Sequence, residues 1–309
     1  FYIIKISKFF YKKKTISYKS LLILAVLTAY LLSLRLSGIL IFFEYLIFFI
    51  FTINISKFNY FNFLRLFYKQ ILIFCLTTIS IFYLFSPSYW NNPLEVINGV
   101  KAMSHHLQTV CTITLGECMK AQNLPSSYIP IWLFFKLPIL VLFGFALLIF
   151  KEKVFFSAIK NNLIVAPIII SSLFIIFILI FFNVNLYDEI RQVMFLVPLL
   201  LICGMSAIFL LPKKFSYSLT IFFIIFFIFQ NISIYPYNYI WLNNFSHLTK
   251  IEGKFELDYW GVSAKKIAFV LNDTKFNEDE CIISNRNRGI KDFLKQDVCF
   301  LQFQKLHQN

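Results

Sequence analysis

Charge is scarce in this sequence. Asp, Glu, Lys and Arg make up 14% of its 309 residues, against about a quarter in an ordinary soluble domain. Aromatic residues, at 20%, are too many for a disordered chain. Eight glycines and nine prolines exclude a collagen repeat, and six scattered cysteines exclude a disulfide miniprotein. No P-loop, G-x-G-x-x-G, H-E-x-x-H or nucleophile elbow occurs, so none of the common soluble-enzyme signatures is available. What abounds is apolar: hydrophobic residues are 59% of the chain, with 41 phenylalanines among them.

Crossing a bilayer takes about 17–25 mostly apolar residues. Seven runs qualify: Ser20–Leu36, Gly38–Ile55, Gln70–Phe85, Pro130–Phe150, Leu163–Phe182, Met194–Leu211 and Tyr217–Tyr235. The first two lie so close together that one of them can be re-entrant. The net charge is +14, and its placement carries the information. Fourteen cations fall in four clusters, Lys5 to Lys19, Lys57 to Lys69, Lys151 to Lys160 and Lys213–Lys214. The alternation of spans puts all four clusters on one side. That side is cytoplasmic by the positive-inside rule, and a nucleic-acid surface is excluded as the meaning of the charge. The expected fold is mainly α, a polytopic membrane helix bundle of about seven spans.

This topology leaves residues 86–129, 183–193 and 236–309 on the other side. It divides the chain into a transmembrane region, 1–235, and an extracytoplasmic C-terminal module, 236–309. The module reads as small and α/β. Ser263 is placed to cap a helix carrying Ile267, Ala268 and Leu271, and strands at Cys281–Ser284 and Val298–Phe303 flank a second helix near Ile290–Lys295. Cys111 and Cys118 share one outer segment and Cys281 and Cys299 the other, so two disulfides are expected, with four free thiols as the alternative. Cys75 and Cys203 lie inside spans. Neither outer pair has C-x-x-C spacing, and no metal site is read.

Several residues can carry chemistry. Asn92-Pro93 suits a helix start, and Ile97, Val100, Met103 and Leu107 then share one face, as in a helix lying on the membrane surface. His105 and His106 close that helix, either as an interfacial polar pair or with one of them on a phosphate or acceptor group. Lys136, about 9 Å into its span at 1.5 Å per residue, either snorkels to the surface or faces a polar cavity. Arg35 has the same ambiguity, and Glu44 is either neutral or paired. Tyr187-Asp188-Glu189-Ile190-Arg191-Gln192 packs three charges and a phenol between two long spans. There Arg191 forks onto an anionic head group or pairs with its own acids.

The order of these pieces resembles the polyprenyl-phosphate-dependent glycosyltransferases of the GT-C fold, and most closely bacterial relatives of the protein O-mannosyltransferase family. The stretches that carry the resemblance are Leu32-Ser-Leu-Arg35-Leu-Ser-Gly38, Trp90-Asn-Asn-Pro93 through Met103-Ser-His-His106, and Leu124-Pro-Ser-Ser-Tyr128-Ile-Pro130 leading to Lys136-Leu-Pro138. Leu186 to Phe195 and Phe255 to Ser263 follow in the same order. The resemblance implies a hexosyltransferase-like enzyme of protein glycosylation, seated in a bacterial inner membrane with its C-terminus outside. A polyprenyl-phosphate-linked sugar is then the donor, a protein or glycan the acceptor and membrane lipid the surround. No cofactor is implied with certainty, and a divalent metal stays open. Arg35, Arg191 and Lys136 become candidates for the donor phosphate, and His105, His106, Tyr128, Tyr187 and Asp188 for the cavity lining. The family's acidic base lies in an external loop near the start of the full protein. The chain begins at Phe1 without that loop, so about four spans are expected before it and the fragment alone is expected to be inactive. Asp188 and Glu189 are not assigned the base's role. A transporter or lipid flippase, or a non-catalytic membrane scaffold, are the alternatives.

Overall fold

The computed structural model describes residues 17–34, 36–57, 59–104, 111–150, 164–248, 254–258, 260–276, 281–283, 287–295 and 298–301, with Ile6 and Asn162 besides. Among them are twelve α-helices and two two-stranded sheets. Helix α1 (Tyr18–Leu34) leads through a 3-10 turn at Leu36–Leu40 into α2 (Ile41–Ser56). Asn59 then starts α3 (Tyr60–Phe85), its side chain accepting the Phe61 N–H at 3.0 Å. With that cap the helix begins ten residues earlier than the expected Gln70 and carries Arg65 and Lys69 along its first turns. Helix α1 packs along α3, and the buried Thr28 and Tyr45 hydroxyls meet at 2.8 Å between α1 and α2.

Among the described residues three helical segments are long and apolar enough to cross a membrane: Gly38–Ser56, Tyr60–Phe85 and Lys213–Ser233. Their side chains fit that setting. Along Lys213–Ser233 only 6% of the crossing window is buried within the protein, and Phe222 and Phe229 stand 61% and 73% exposed, a surface that water would disfavour and lipid accepts. Helices Tyr18–Leu34, Val165–Phe181 and Leu196–Ile208 are apolar and shorter. The expected Pro130–Phe150 span is broken: α5 (Tyr128–Lys136) and α6 (Ile139–Phe150) meet at 118°, which brings the number of crossings to four if the pair counts as one.

The break has a local cause. Pro138 has no N–H, so the Phe134 carbonyl, four residues earlier, loses its helical donor. Asn243 replaces it from far along the chain. Its Nδ2 donates to the carbonyls of Phe134 at 2.6 Å and Leu137 at 2.8 Å, and its backbone N–H donates to Phe135 at 2.8 Å. Its Oδ1 in turn accepts from Phe245. Asn243 is 1% exposed. Asn243 and its neighbours are therefore built into the bundle, as is Phe255, which lies edge-on to both Trp132 and Phe135.

After the break, α6 packs on α8 (Leu196–Ile208), which also lies against α7 (Val165–Phe181). The α6–α8 crossing is set by Gly144 and Gly204. A Cβ on Gly144 would run into the Gly204 carbonyl, and one on Gly204 would lie 2.7 Å from both Cγ1 and the carbonyl oxygen of Val141. Small residues give membrane helices this close approach. Helix α9 (Lys213–Ser233) follows α8.

Residues 86–129 hold more than the surface helix read from the sequence. Helix α4 (Glu95–Ser104) begins after the turn at Asn92–Leu94, and β1 (Cys111–Thr114) and β2 (Glu117–Lys120) form an antiparallel hairpin pairing Thr114 with Glu117. Leu115 and Gly116 both have positive φ, 55° and 88°, the two-residue turn that matches strand twist. A Cys111–Cys118 disulfide closes the hairpin. The backbone at Phe255 bridges Thr114, and Glu256 N–H donates to the Ile113 carbonyl at 2.9 Å. His105, His106 and Leu107 lie outside the described residues.

The end of the chain is α/β on a small scale. Helices α10 (Phe245–Leu248) and α11 (Ala264–Asn272) precede β3 (Cys281–Ile283), α12 (Asn287–Lys291) and β4 (Cys299–Leu301). Strands β3 and β4 are parallel, with Cys281 directly opposite Cys299 and joined to it. Ala264, Ala268 and Ile290 form a separate small core. The expected helix at Ile290–Lys295 is instead α12, and Ser263 makes no side-chain cap on α11. Its hydroxyl donates to Asp258, which also accepts the N–H groups of Val262 at 3.0 Å and Ser263 at 3.1 Å.

Two substitutions test this packing. Asn243→Ala is expected to cost about 3 kcal/mol, because it removes the donors of two buried carbonyls beside a proline break; unfolding in detergent measures it. Gly144→Ala is expected to cost about 1–3 kcal/mol by prying α6 from α8, whereas alanine at the exposed Ile149 should be near neutral in the same assay.

Candidate functional site

Of the polar residues singled out in the sequence, Lys136, Tyr128 and the 187–192 turn meet where α5 ends. After the Tyr128–Lys136 helix, the break at Leu137–Pro138 turns the chain and leaves Lys136 at the corner of the bend. Its side chain is 11% exposed and does not snorkel. The Lys136 ammonium donates to Glu189 Oε2 at 2.6 Å and to the Tyr239 carbonyl at 3.0 Å. Lys136 thus faces inward, onto Glu189 and the Tyr239 carbonyl.

Its partner sits on a turn of unusual backbone. Asp188 and Glu189 both adopt the left-handed conformation, with φ of 54° and 65°. For two successive non-glycine residues this is costly and holds only where the surroundings fix it. Three elements supply the fixing. From β1, the buried Thr112 hydroxyl accepts the Asp188 N–H at 2.9 Å. From α5, the Tyr128 hydroxyl donates to the Glu189 carbonyl at 3.1 Å and is also hydrogen-bonded to Thr112. Leu186, Ile190 and Val193, all buried, root the segment in the main apolar core. Thr114, two residues beyond Thr112 on the same strand face, accepts from Trp132 Nε1 at 3.0 Å.

Asp188 pairs with Arg191 at 2.9 Å. The Arg191 guanidinium lies 5.0 Å from each of the Tyr187 and Trp260 rings, within the range of cation–π attraction. The structure shows the second reading of this motif: Arg191 is paired with its own acid and lies between two aromatic faces. Lys136 and Arg191 are each paired with one of two consecutive residues of the turn. Arg35 lies outside the described residues. Tyr128 lines a shallow crevice with Ser126, Asn183 and Leu186.

The electrostatics of the turn are unbalanced. Glu189 is 3% exposed, and its Oε1 has no hydrogen-bond partner among the described residues, nor has the Gln192 amide. Burial pushes the Glu189 carboxyl up to about 7. Lys136 pulls it down, while Asp188 and Glu256 push it further up. Asp258 behaves differently. Burial acts to raise it, but hydrogen bonds from Ser263 and Tyr239 and from the Ser263 and Val262 backbone outweigh burial and hold it below its ordinary value. Among the described residues no group of three His, Cys, Asp or Glu side chains could hold a metal ion.

Sequence reasoning noted Glu189 without giving it a place, held Trp260 only within the Phe255–Ser263 stretch, and missed Thr112, Thr114, Trp132, Tyr239 and Asn243. The alternation Thr112-Ile113-Thr114 beside a Leu-Gly turn was a readable strand signal. The link from Asn243 to the proline break, over a hundred residues apart, had no local signal.

Because its folded pKa lies above the ordinary 4.5, Glu189 contributes stability that is complete below 4.5 and lost as pH rises through about 7. Unfolding free energy is therefore expected to fall across that window and to be flatter in Glu189→Gln, measured by denaturation at a series of pH values. Comparison of the chain with family models, with curated proteins and with solved structures gave no match.

Proposed function

We propose that this chain is the membrane-embedded part of a glycosyltransferase that moves a sugar from a polyprenyl-phosphate donor to a protein or glycan acceptor on the non-cytoplasmic face of a bacterial inner membrane. On this reading the seven apolar runs are crossings, the polar turn at 187–192 faces outward and residues 236–309 are extracytoplasmic. The observation that carries it is the convergence of Lys136 and Arg191 on one turn beside a broken helix. Breaks of this kind are tolerated in membrane helices where they are buried or line a polar site.

The chemistry needs such a centre. When the sugar leaves its carrier, negative charge develops on the phosphate, and fixed cations in a low-dielectric setting stabilise it. Arg191, flanked by Tyr187 and Trp260, offers a planar fork suited to phosphate oxygens, and Lys136 offers a point charge. The acceptor hydroxyl must also lose a proton to a base, and no residue here is assigned that task. A transporter is less well supported. Its site is expected near the midplane between two interrupted helices, and among the described residues one bent pair passes as a span.

The test uses membranes from cells expressing the protein from its intact gene. They should release polyprenyl phosphate from a lipid-linked sugar, and Arg191→Ala should lower that turnover about tenfold or more with membrane insertion unchanged. Equal turnover would remove Arg191 from the site.

A further inference from the structure

Lys136 and Arg191, the two cations assigned to a phosphate, are already occupied. Glu189 Oε2 lies 2.6 Å from one and Asp188 Oδ2 2.9 Å from the other. A carboxylate presents oxygens and charge to lysine or arginine much as a phosphate does. The two acids come from adjacent residues, both in the left-handed conformation, and this is the backbone that aims them at two cations on different elements. Strained turns of this type cluster at ligand clamps and switches. Glu189 is also imperfectly satisfied, with Oε1 buried and without a hydrogen-bond partner among the described residues.

We infer that the Asp188–Glu189 turn is an autoinhibitory strap, whose carboxylates hold Lys136 and Arg191 in place of a phosphate monoester and are displaced when one binds. This rests on the transferase reading for the lipid it names. The turn's backbone is anchored by Thr112 and Tyr128, so exchange needs only rotation of the two acidic side chains. The strap is also pH-dependent. Glu189 is faced by Lys136 and Tyr128 from α5, by Asp188 beside it and by Glu256 from the 254–258 segment, with Arg191 next along through Asp188. Protonation of Glu189 removes the charge that competes with the phosphate for Lys136, and burial places that event near neutrality.

The experiment measures binding to the full chain in phosphatidylcholine vesicles, with a polyprenyl monophosphate in the bilayer and inorganic phosphate in solution as separate probes. At about pH 8, above the raised Glu189 value, the carboxylate is mainly ionised, so Glu189→Gln should bind several-fold tighter than the unaltered protein; at about pH 6 the two should converge. Comparing variant with parent at each pH cancels the titration of the probe itself. The effect with both probes assigns the strap to the phosphate group, and with the lipid alone to the lipid headgroup. Equal affinities at about pH 8 with both probes overturn the strap.

A second measurement needs no variant. Adding polyprenyl monophosphate should raise the midpoint of the protonated Glu189 carbonyl band in infrared spectra, because linkage is reciprocal, and an unmoved midpoint overturns the inference. Sugar transfer separates the two readings. Binding that follows this pattern without release of polyprenyl phosphate from a sugar donor leaves the strap and removes the transferase. Turnover without the pH contrast does the reverse.

Discussion

A backbone carbonyl in an apolar surround must find a donor, and that constraint organises this molecule. Pro138 interrupts α5–α6 in the middle of an apolar run, and no water is at hand to repair the ladder if the run sits in lipid. Asn243 makes the repair, and in doing so it ties its own stretch, residues 241–245, into the bundle. Phe255 then packs on Trp132 and Phe135, and the backbone at Phe255 and Glu256 extends the hairpin. One missing N–H thus links three parts of the chain that lie far apart in sequence. The same bend puts Lys136 at a corner instead of inside a continuous helix.

The hairpin is the second fixed body at the site. Its Cys111–Cys118 disulfide and its Leu115–Gly116 turn make a short, rigid strand pair. Its two inward threonines do different work: Thr114 seats the Trp132 indole, and Thr112 takes the Asp188 N–H. A hydroxyl suits both positions, because it accepts from an N–H and has a proton left for a further partner. Valine would fill the same space and leave two buried donors unmet.

Long apolar runs and paired cysteines were legible from the sequence because their signals are local. Most runs reappear as helices at or near the expected boundaries, and both disulfides join the expected partners. The start of α3 was misplaced because Arg65 and Lys69 depress local hydropathy, whereas the Asn59 cap and the helical pattern carry the helix past them. The proline break was visible as Lys136-Leu-Pro138, yet its 118° bend depends on Asn243, which no window around Pro138 contains. Tyr187 to Gln192 was recognised as a polar centre from composition. Which acid takes which cation was not readable, because it follows from left-handed backbone at Asp188 and Glu189, and that conformation is imposed by Thr112 and Tyr128 from other elements. Ser263 shows the limit in the other direction. Its position before a helix matched a cap, but its hydroxyl is turned to donate to Asp258, a charged acceptor that also takes the Val262 and Ser263 N–H groups.

Charge neutrality at the site follows from the same physics. Two cations placed among apolar helices with no counter-charge would each carry a desolvation penalty of several kcal/mol, so a protein that holds them between encounters with an anionic ligand needs resident anions. Outside the four basic clusters and the tail, the sequence carries five cations, Arg35, Lys101, Lys120, Lys136 and Arg191, against five acids, Glu44, Glu95, Glu117, Asp188 and Glu189. Asp188 and Glu189 meet that need for Arg191 and Lys136. If a phosphate is the ligand, its binding exchanges one anion for another and does not neutralise bare charge. Affinity then depends on the difference between phosphate and carboxylate at the same two cations. That difference is largest where the resident carboxylate is least well solvated, which is the condition of Glu189, with one oxygen on Lys136 and the other without a hydrogen-bond partner among the described residues.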